Sequence, residues 1–145
     1  MVALLSLAAG IAVVFLGWNL YRRLGTDRIA VFNDRRRSAS RMVGRGEFVD
    51  GNRRLDVALA VTQSTFFYEN SDMQASLDLQ WVREIEYDTQ LATGAAVPGH
   101  KVLRLRSDSQ TFEFAVPNDT VARWHLMLPP RRAMDEAVPQ TAAAS

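Results

Sequence analysis

Glu84 and Glu86 stand two residues apart in Trp81-Val-Arg-Glu-Ile-Glu-Tyr87, so on a strand their carboxylates share one face, as paired acid–base chemistry would need. The sequence places no basic or hydroxyl partner beside them, and the same spacing describes an exposed acidic strand face. His100 lies in a Gly/Pro loop and His125 in a helical stretch; two isolated histidines make neither a zinc ligand set nor an acid–base pair. Gly94 and Gly99 are not followed by a helix opening on Lys-Ser or Lys-Thr, which a phosphate-binding loop requires. Arg104 and Arg106 share a strand face, with Arg83 as a third cation, and read either as an anion site or as solvated charge. No catalytic, cofactor or metal site is assigned, and the residue pattern argues against an enzyme.

The elements that carry these residues are mainly strands. Leu55, Val57, Leu59 and Val61 alternate with Asp56, Ala58, Ala60 and Thr62, which predicts a strand with one strongly apolar face. Gln63-Ser64 turns into Thr65–Glu69, and Asn70-Ser71-Asp72 is a second turn signal. Strand-like segments follow at 76–79 and 81–87, then a Gly/Pro loop at 91–100. A hairpin is expected from 101–106 and 111–116 around Ser107–Gln110. Asn118 or Asp119 is suited to cap a helix carrying Val121, Trp124 and Leu128, which Pro129-Pro130 ends. The core candidates are Leu55, Val57, Leu59, Phe66, Ile85, Leu103, Leu105, Phe112, Phe114 and Trp124; Trp81 also reads as core. The expected fold is mainly β, a sandwich or barrel whose open end is covered by the C-terminal helix. The β domain is expected over 44–128 and a disordered tail over 129–145.

Leu59-Ala-Val-Thr-Gln-Ser-Thr-Phe-Phe-Tyr68, Leu79-Gln-Trp-Val-Arg-Glu-Ile-Glu-Tyr87 and Phe112-Glu-Phe114 before the closing helix resemble the pleckstrin-homology-like superfamily, especially its bacterial and GRAM-like branches. A lipocalin-like or other small barrel is the structural alternative. The resemblance implies an adaptor that binds phosphoinositides, other lipids, peptides or proteins. Its lipid-binding members use basic residues in the first strand pair; the nearest positions here are Arg53 and Arg54, flanked by Asp50 and Asp56. With Arg83, Arg104 and Arg106 these are the headgroup candidates.

Residues 2–21 carry no charge, and at about 1.5 Å per residue such a run crosses a hydrocarbon core of roughly 30 Å. It predicts a single transmembrane helix at 1–21. The apolar run lacks a basic segment before it, and its small residues Ala8-Ala9-Gly10 lie mid-run, unlike an export signal, which is the competing reading. All flanking positive charge follows it: Arg22, Arg23, Arg28, Arg35, Arg36, Arg37, Arg41 and Arg45, opposed by Asp27 and Asp34. The positive-inside rule then places the N-terminus outside and the C-terminal domain in the cytoplasm, at the inner (plasma) membrane. The absence of cysteine fits that compartment.

The same eight arginines are the expected membrane-surface contacts, because basic residues beside a bilayer are attracted to anionic lipid. The rest of the chain holds nine basic and 14 acidic residues, so its net charge is negative and it makes a poor general trap for phosphorylated headgroups. Residues 22–43 read as a basic linker or as a short interfacial helix from Arg28 to about Met42, with Ile29, Phe32, Ala39 and Val43 on its apolar side. Interleaved aromatics are lacking, which argues against nucleic acid. Ser6, Gly10 and Gly17 would let two anchors approach, so a homodimer through the anchor stays open. The functional expectation is a membrane-anchored, non-enzymatic scaffolding module with a protein partner. The alternatives are an anionic-lipid sensor and an accessory subunit of a larger membrane complex.

Overall fold

The computed structural model describes residues 28–132. The expected span at 2–21, Arg22, Arg23 and residues 133–145 lie outside the described residues. Among the described residues no helix is long and apolar enough to cross a membrane.

Helix α1 occupies 28–37. Seven strands follow: β1 (Met42–Asp50), β2 (Arg53–Val61), β3 (Thr65–Glu69), β4 (Gln74–Asp78), β5 (Glu84–Asp88), β6 (His100–Arg106) and β7 (Thr111–Pro117); helix α2 (Val121–Met127) closes the chain. All pairings are antiparallel, in the order β4-β3-β2-β1-β7-β6-β5. The protein is therefore mainly β, one seven-stranded antiparallel sheet with a C-terminal helix. β1 does not follow from the alternation rule, because its inward positions include Gly44 and Gly46. Asp50 pairs with Arg53 across a two-residue turn in which Gly51 has φ 59°, the left-handed value that primed hairpin turns need at their first position.

The sheet curls on itself. Phe66 on β3 and Phe114 on β7 are three strand positions apart, about 14 Å on a flat sheet, yet their ring centroids are 5.0 Å apart. Tyr68 meets the same Phe114 at 5.0 Å. The inner face carries Val57, Leu59, Val61, Phe66, Ile85, Leu103, Leu105 and Phe114, all buried as expected, while Leu55 and Phe112 are only half-buried. Trp124 of α2 is fully buried, with its ring 6.0 Å from that of Phe66, so α2 closes the curl. Two glycines permit this closure. A Cβ at Gly44 would lie 3.0 Å from the Trp124 ring, and one at Gly46 would lie 2.7 Å from Leu59 Cδ1.

The outer face is covered too. The register turns Ala58 and Ala60 outward, opposite Glu69 and Phe67, yet each is only 3% exposed. The cover is α1, whose Ile29 is buried and whose Arg36 grips Phe67 and Glu69. The segment expected as a linker over 22–43 thus contributes a helix and the start of β1 to the domain. On the far half of the sheet, Leu91 and Val97 of the 89–99 loop pack over Val102 and Ala115.

Other expectations need correction. Trp81 is 65% exposed, because residues 79–81 form a 3-10 turn instead of continuing a strand. Neither Asn118 nor Asp119 caps the closing helix; they lie in a 3-10 turn that leads into it, and the Thr120 hydroxyl bonds back to Pro117 O. Ordered structure does not stop at Leu128, since Arg131 pairs with Ile85. The Asn70 turn does use its side chain, which accepts from Asp72 N at 2.9 Å.

Replacing Trp124 by Ala should cost about 3–5 kcal/mol, read as a shift in the urea midpoint. A loss below about 1 kcal/mol would mean that α2 does not close the sheet.

Candidate functional site

β5, β6 and β7 place their charged residues on the outer face by strict alternation. The register sets Glu84 opposite Arg106, Glu86 opposite Arg104, and Arg104 opposite Glu113. Arg104 is buried and donates to Glu113 at 2.9 Å, Glu86 at 2.9 Å and Asp88 at 3.3 Å, and its third arm reaches the Gln90 carbonyl at 3.2 Å. Glu113 also accepts from Ala92 N at 2.9 Å. The Arg104–Glu113 pair therefore pins the 89–99 loop to the sheet. Burial acts to lower the Arg104 pKa, but the bonds from Glu113, Glu86 and Asp88 outweigh it and hold the guanidinium above its ordinary value. Asp88 is held below the usual carboxylate range, first by backbone N–H donors from Thr89 and Gln90 and then by Arg104.

Ion pairing occupies four of the five cations read as headgroup candidates. Arg106 bonds Glu84 at 2.8 Å, Arg83 bonds Asp108 and Arg54 bonds Glu47. Arg83, Arg104 and Arg106 do not converge on an anion: each is answered by its own carboxylate. Arg53 makes no ion pair among the described residues. The pair Glu84 and Glu86, read without a basic partner, faces two arginines. The signal was present in the sequence, since Glu84-x-Glu86-x-Asp88 and Arg104-x-Arg106 have the same two-residue period with opposite charge.

A groove of about 410 Å³ runs along β5, lined by Ile85, Tyr87, His125, Pro130 and Arg131 together with Glu84, Glu86 and Arg132. Ile85 and Arg131 exchange two backbone hydrogen bonds, of 2.8 and 3.0 Å, so the chain after α2 is joined to the β5 edge by a single antiparallel bridge. The Arg131 guanidinium donates to the Leu79 carbonyl at 3.0 Å and to that of Val82. The Tyr87 hydroxyl donates to Leu128 O at 2.9 Å, and its ring lies 4.0 Å from that of His125. Burial of this phenol pushes its pKa upward. His100 is instead held in its loop, with Nδ1 3.0 Å from Pro98 O. Nothing in the periodicity marked Arg131, which follows two helix-ending prolines.

Of the arginines expected at the membrane surface, Arg28, Arg35, Arg37, Arg41 and Arg45 are exposed. Arg36 is not: it makes a bidentate pair with buried Glu69, at 2.9 and 3.1 Å, and its guanidinium lies 3.7 Å from the Phe67 ring centroid. No family model matches the chain, and no curated protein matches its sequence.

Arg104→Ala should destabilise by about 3–5 kcal/mol, because it leaves buried Glu113 without its counter-charge. Urea denaturation reads the loss, and the amides of the 89–99 loop should exchange faster. Asp88 has a depressed pKa, so its stabilisation is present above the unfolded carboxylate value of about 4 and is lost as pH falls below it. Asp88→Asn should therefore flatten the acid limb of a pH–stability curve and leave neutral-pH folding cooperative.

Proposed function

We propose that this chain is a membrane-anchored, non-enzymatic interaction module. In this reading residues 1–21 form the anchor at the inner membrane, and a pleckstrin-homology-like domain stands in the cytoplasm and recruits a protein partner. The strand order and the closing helix support the family resemblance. The uncharged run with its one-sided arginines supports the anchor and its orientation.

The observation that carries the interaction reading is the occupied β5 edge. An edge strand exposes unpaired N–H and C=O groups and accepts another extended segment. Here the chain's own Arg131 already pairs with Ile85 on it, its side chain held by the carbonyls of Leu79 and Val82. A partner segment would take the same backbone bonds in place of this one. Trp81, 65% exposed on the turn just before β5, is a rigid aromatic anchor of the kind that dominates interface energetics. The accessory-subunit reading puts the main contact in the apolar anchor instead, and the two separate experimentally.

Full-length protein should be extracted in mild detergent and its co-purifying partners quantified. Trp81→Ala should reduce recovery of the partner about tenfold without moving the thermal midpoint. Arg131→Glu should raise recovery, because it removes the guanidinium bonds to the Leu79 and Val82 carbonyls and frees the edge. Recovery that ignores both changes but falls with Gly10→Leu would assign the contact to the anchor.

A further inference from the structure

Helix α1 has two stripes of unlike chemistry. Ile29, Phe32, Asn33 and Arg36 recur at the spacing of one helical face. Ile29 is only 4% exposed on that face, and Arg36 binds Glu69 and Phe67. Arg28, Val31 and Arg35 recur at i, i+3 and i+7 beside it, and all three are exposed; Val31 is 57% open to solvent between two cations. Neither Arg28 nor Arg35 makes an ion pair among the described residues, while Asp34 is answered by Arg37 at 3.5 Å. Arg41 and Arg45 follow, both exposed. Arg35 rests over the Phe32 ring at 5.4 Å, and an exposed aliphatic side chain stands between two guanidinium groups that no carboxylate answers among the described residues.

We infer that the Arg28–Val31–Arg35 stripe of α1 is a docking face for an anionic phospholipid leaflet, held to the β domain by the Arg36–Glu69 clamp. The inference rests on the membrane-anchored reading above. Guanidinium groups pair with lipid phosphates, and a valine between them enters the boundary of headgroups and acyl chains. The uncharged run ends at Tyr21, six residues before α1, and six extended residues span at most about 20 Å. Lipid is favoured over nucleic acid because the one aromatic residue of α1, Phe32, is half-buried and its ring lies under the Arg35 guanidinium at 5.4 Å, which leaves no free ring face on the helix for a base to stack on. The membrane contact is then a surface of the folded domain and not of a loose tether. A bidentate ion pair to a buried carboxylate together with a cation–π contact fixes α1 against β3.

The chain has no cysteine, so a single reporter is readily placed. Full-length Val31→Cys, carrying a fluorophore, should be reconstituted into phosphatidylcholine vesicles with or without phosphatidylserine and with a nitroxide-bearing lipid as quencher; Ser109→Cys in the β6–β7 turn is the control. Strong quenching at position 31 is expected only with phosphatidylserine. It should fade as salt rises from about 0.1 to 1 M, where the screening length falls from about 10 Å to 3 Å. Arg28→Gln and Arg35→Gln should each weaken it about fivefold. Arg36→Gln should keep the quenching but lower the fluorescence anisotropy at position 109, because the domain is then released from α1. Equal quenching in neutral vesicles, no quenching in either, or protection of the probe that requires an added RNA oligonucleotide or a second copy of the chain would overturn the assignment. Loss of the protein from vesicles in alkaline carbonate would refute the anchor alone, since the quenching at position 31 is read on the same sample before the carbonate wash.

Discussion

Covering both faces of one curled sheet is the constraint on which the rest of this molecule depends. A seven-stranded sheet in a domain this small cannot bury its inner face against a second sheet, so it wraps until β3 and β7 meet through Phe66, Tyr68 and Phe114. Wrapping leaves an open mouth, and the indole of Trp124 fills it against the bare backbone of Gly44. The glycines of β1 are therefore packing residues: a side chain at position 44 would press on the Trp124 ring, and one at position 46 would collide with the Ala115 carbonyl of β7 and with Leu59.

The outer face is solved in two different ways, and each has a functional consequence. Over β2 and β3 the small residues Ala58 and Ala60 let a helix approach, and Arg36 closes on a buried glutamate beneath it. Over β6 and β7 the cover is a loop, pinned by a buried arginine surrounded by carboxylates. Ion pairs of this kind contribute more to geometry than to net stability, because desolvation offsets most of the attraction. Their effect here is to neutralise Arg104 and Arg106, whereas Arg28, Arg35, Arg41 and Arg45 make no ion pair among the described residues. Charge segregation that is visible along the chain is thereby sharpened in space.

The β5 edge is the remaining point of exposure. β4, at the other end of the sheet, is short and alternates polar residues, a common protection of a free edge. β5 is instead paired with residues after the closing helix, through a single bridge and one arginine side chain. So small a contact covers the edge without committing it, which suits a surface that exchanges its own tail for a partner strand.

Much of the fold was legible in residue order, because period-two alternation and turn chemistry are local. The strand through Val57, Leu59 and Val61, the hairpin around Ser107–Gln110, the Asn70 turn and the burial of Trp124 follow from spacing alone. The sequence by itself also determined the uncharged run, the one-sided arginines and the absence of cysteine. What it could not determine were contacts between distant segments. Alternation marks Arg104 and Arg106 as outward, but only strand pairing shows that Glu84, Glu86 and Glu113 stand opposite. Arg36 is one of eight similar arginines until the register of β3 brings Phe67 and Glu69 beneath it. Trp81 looks like core from hydrophobicity alone, and only the tight turn between β4 and β5 turns it outward. Local propensity depends on near neighbours in the chain, whereas charge neutralisation, edge pairing and exposure depend on which segments meet. Tertiary structure alone decided those.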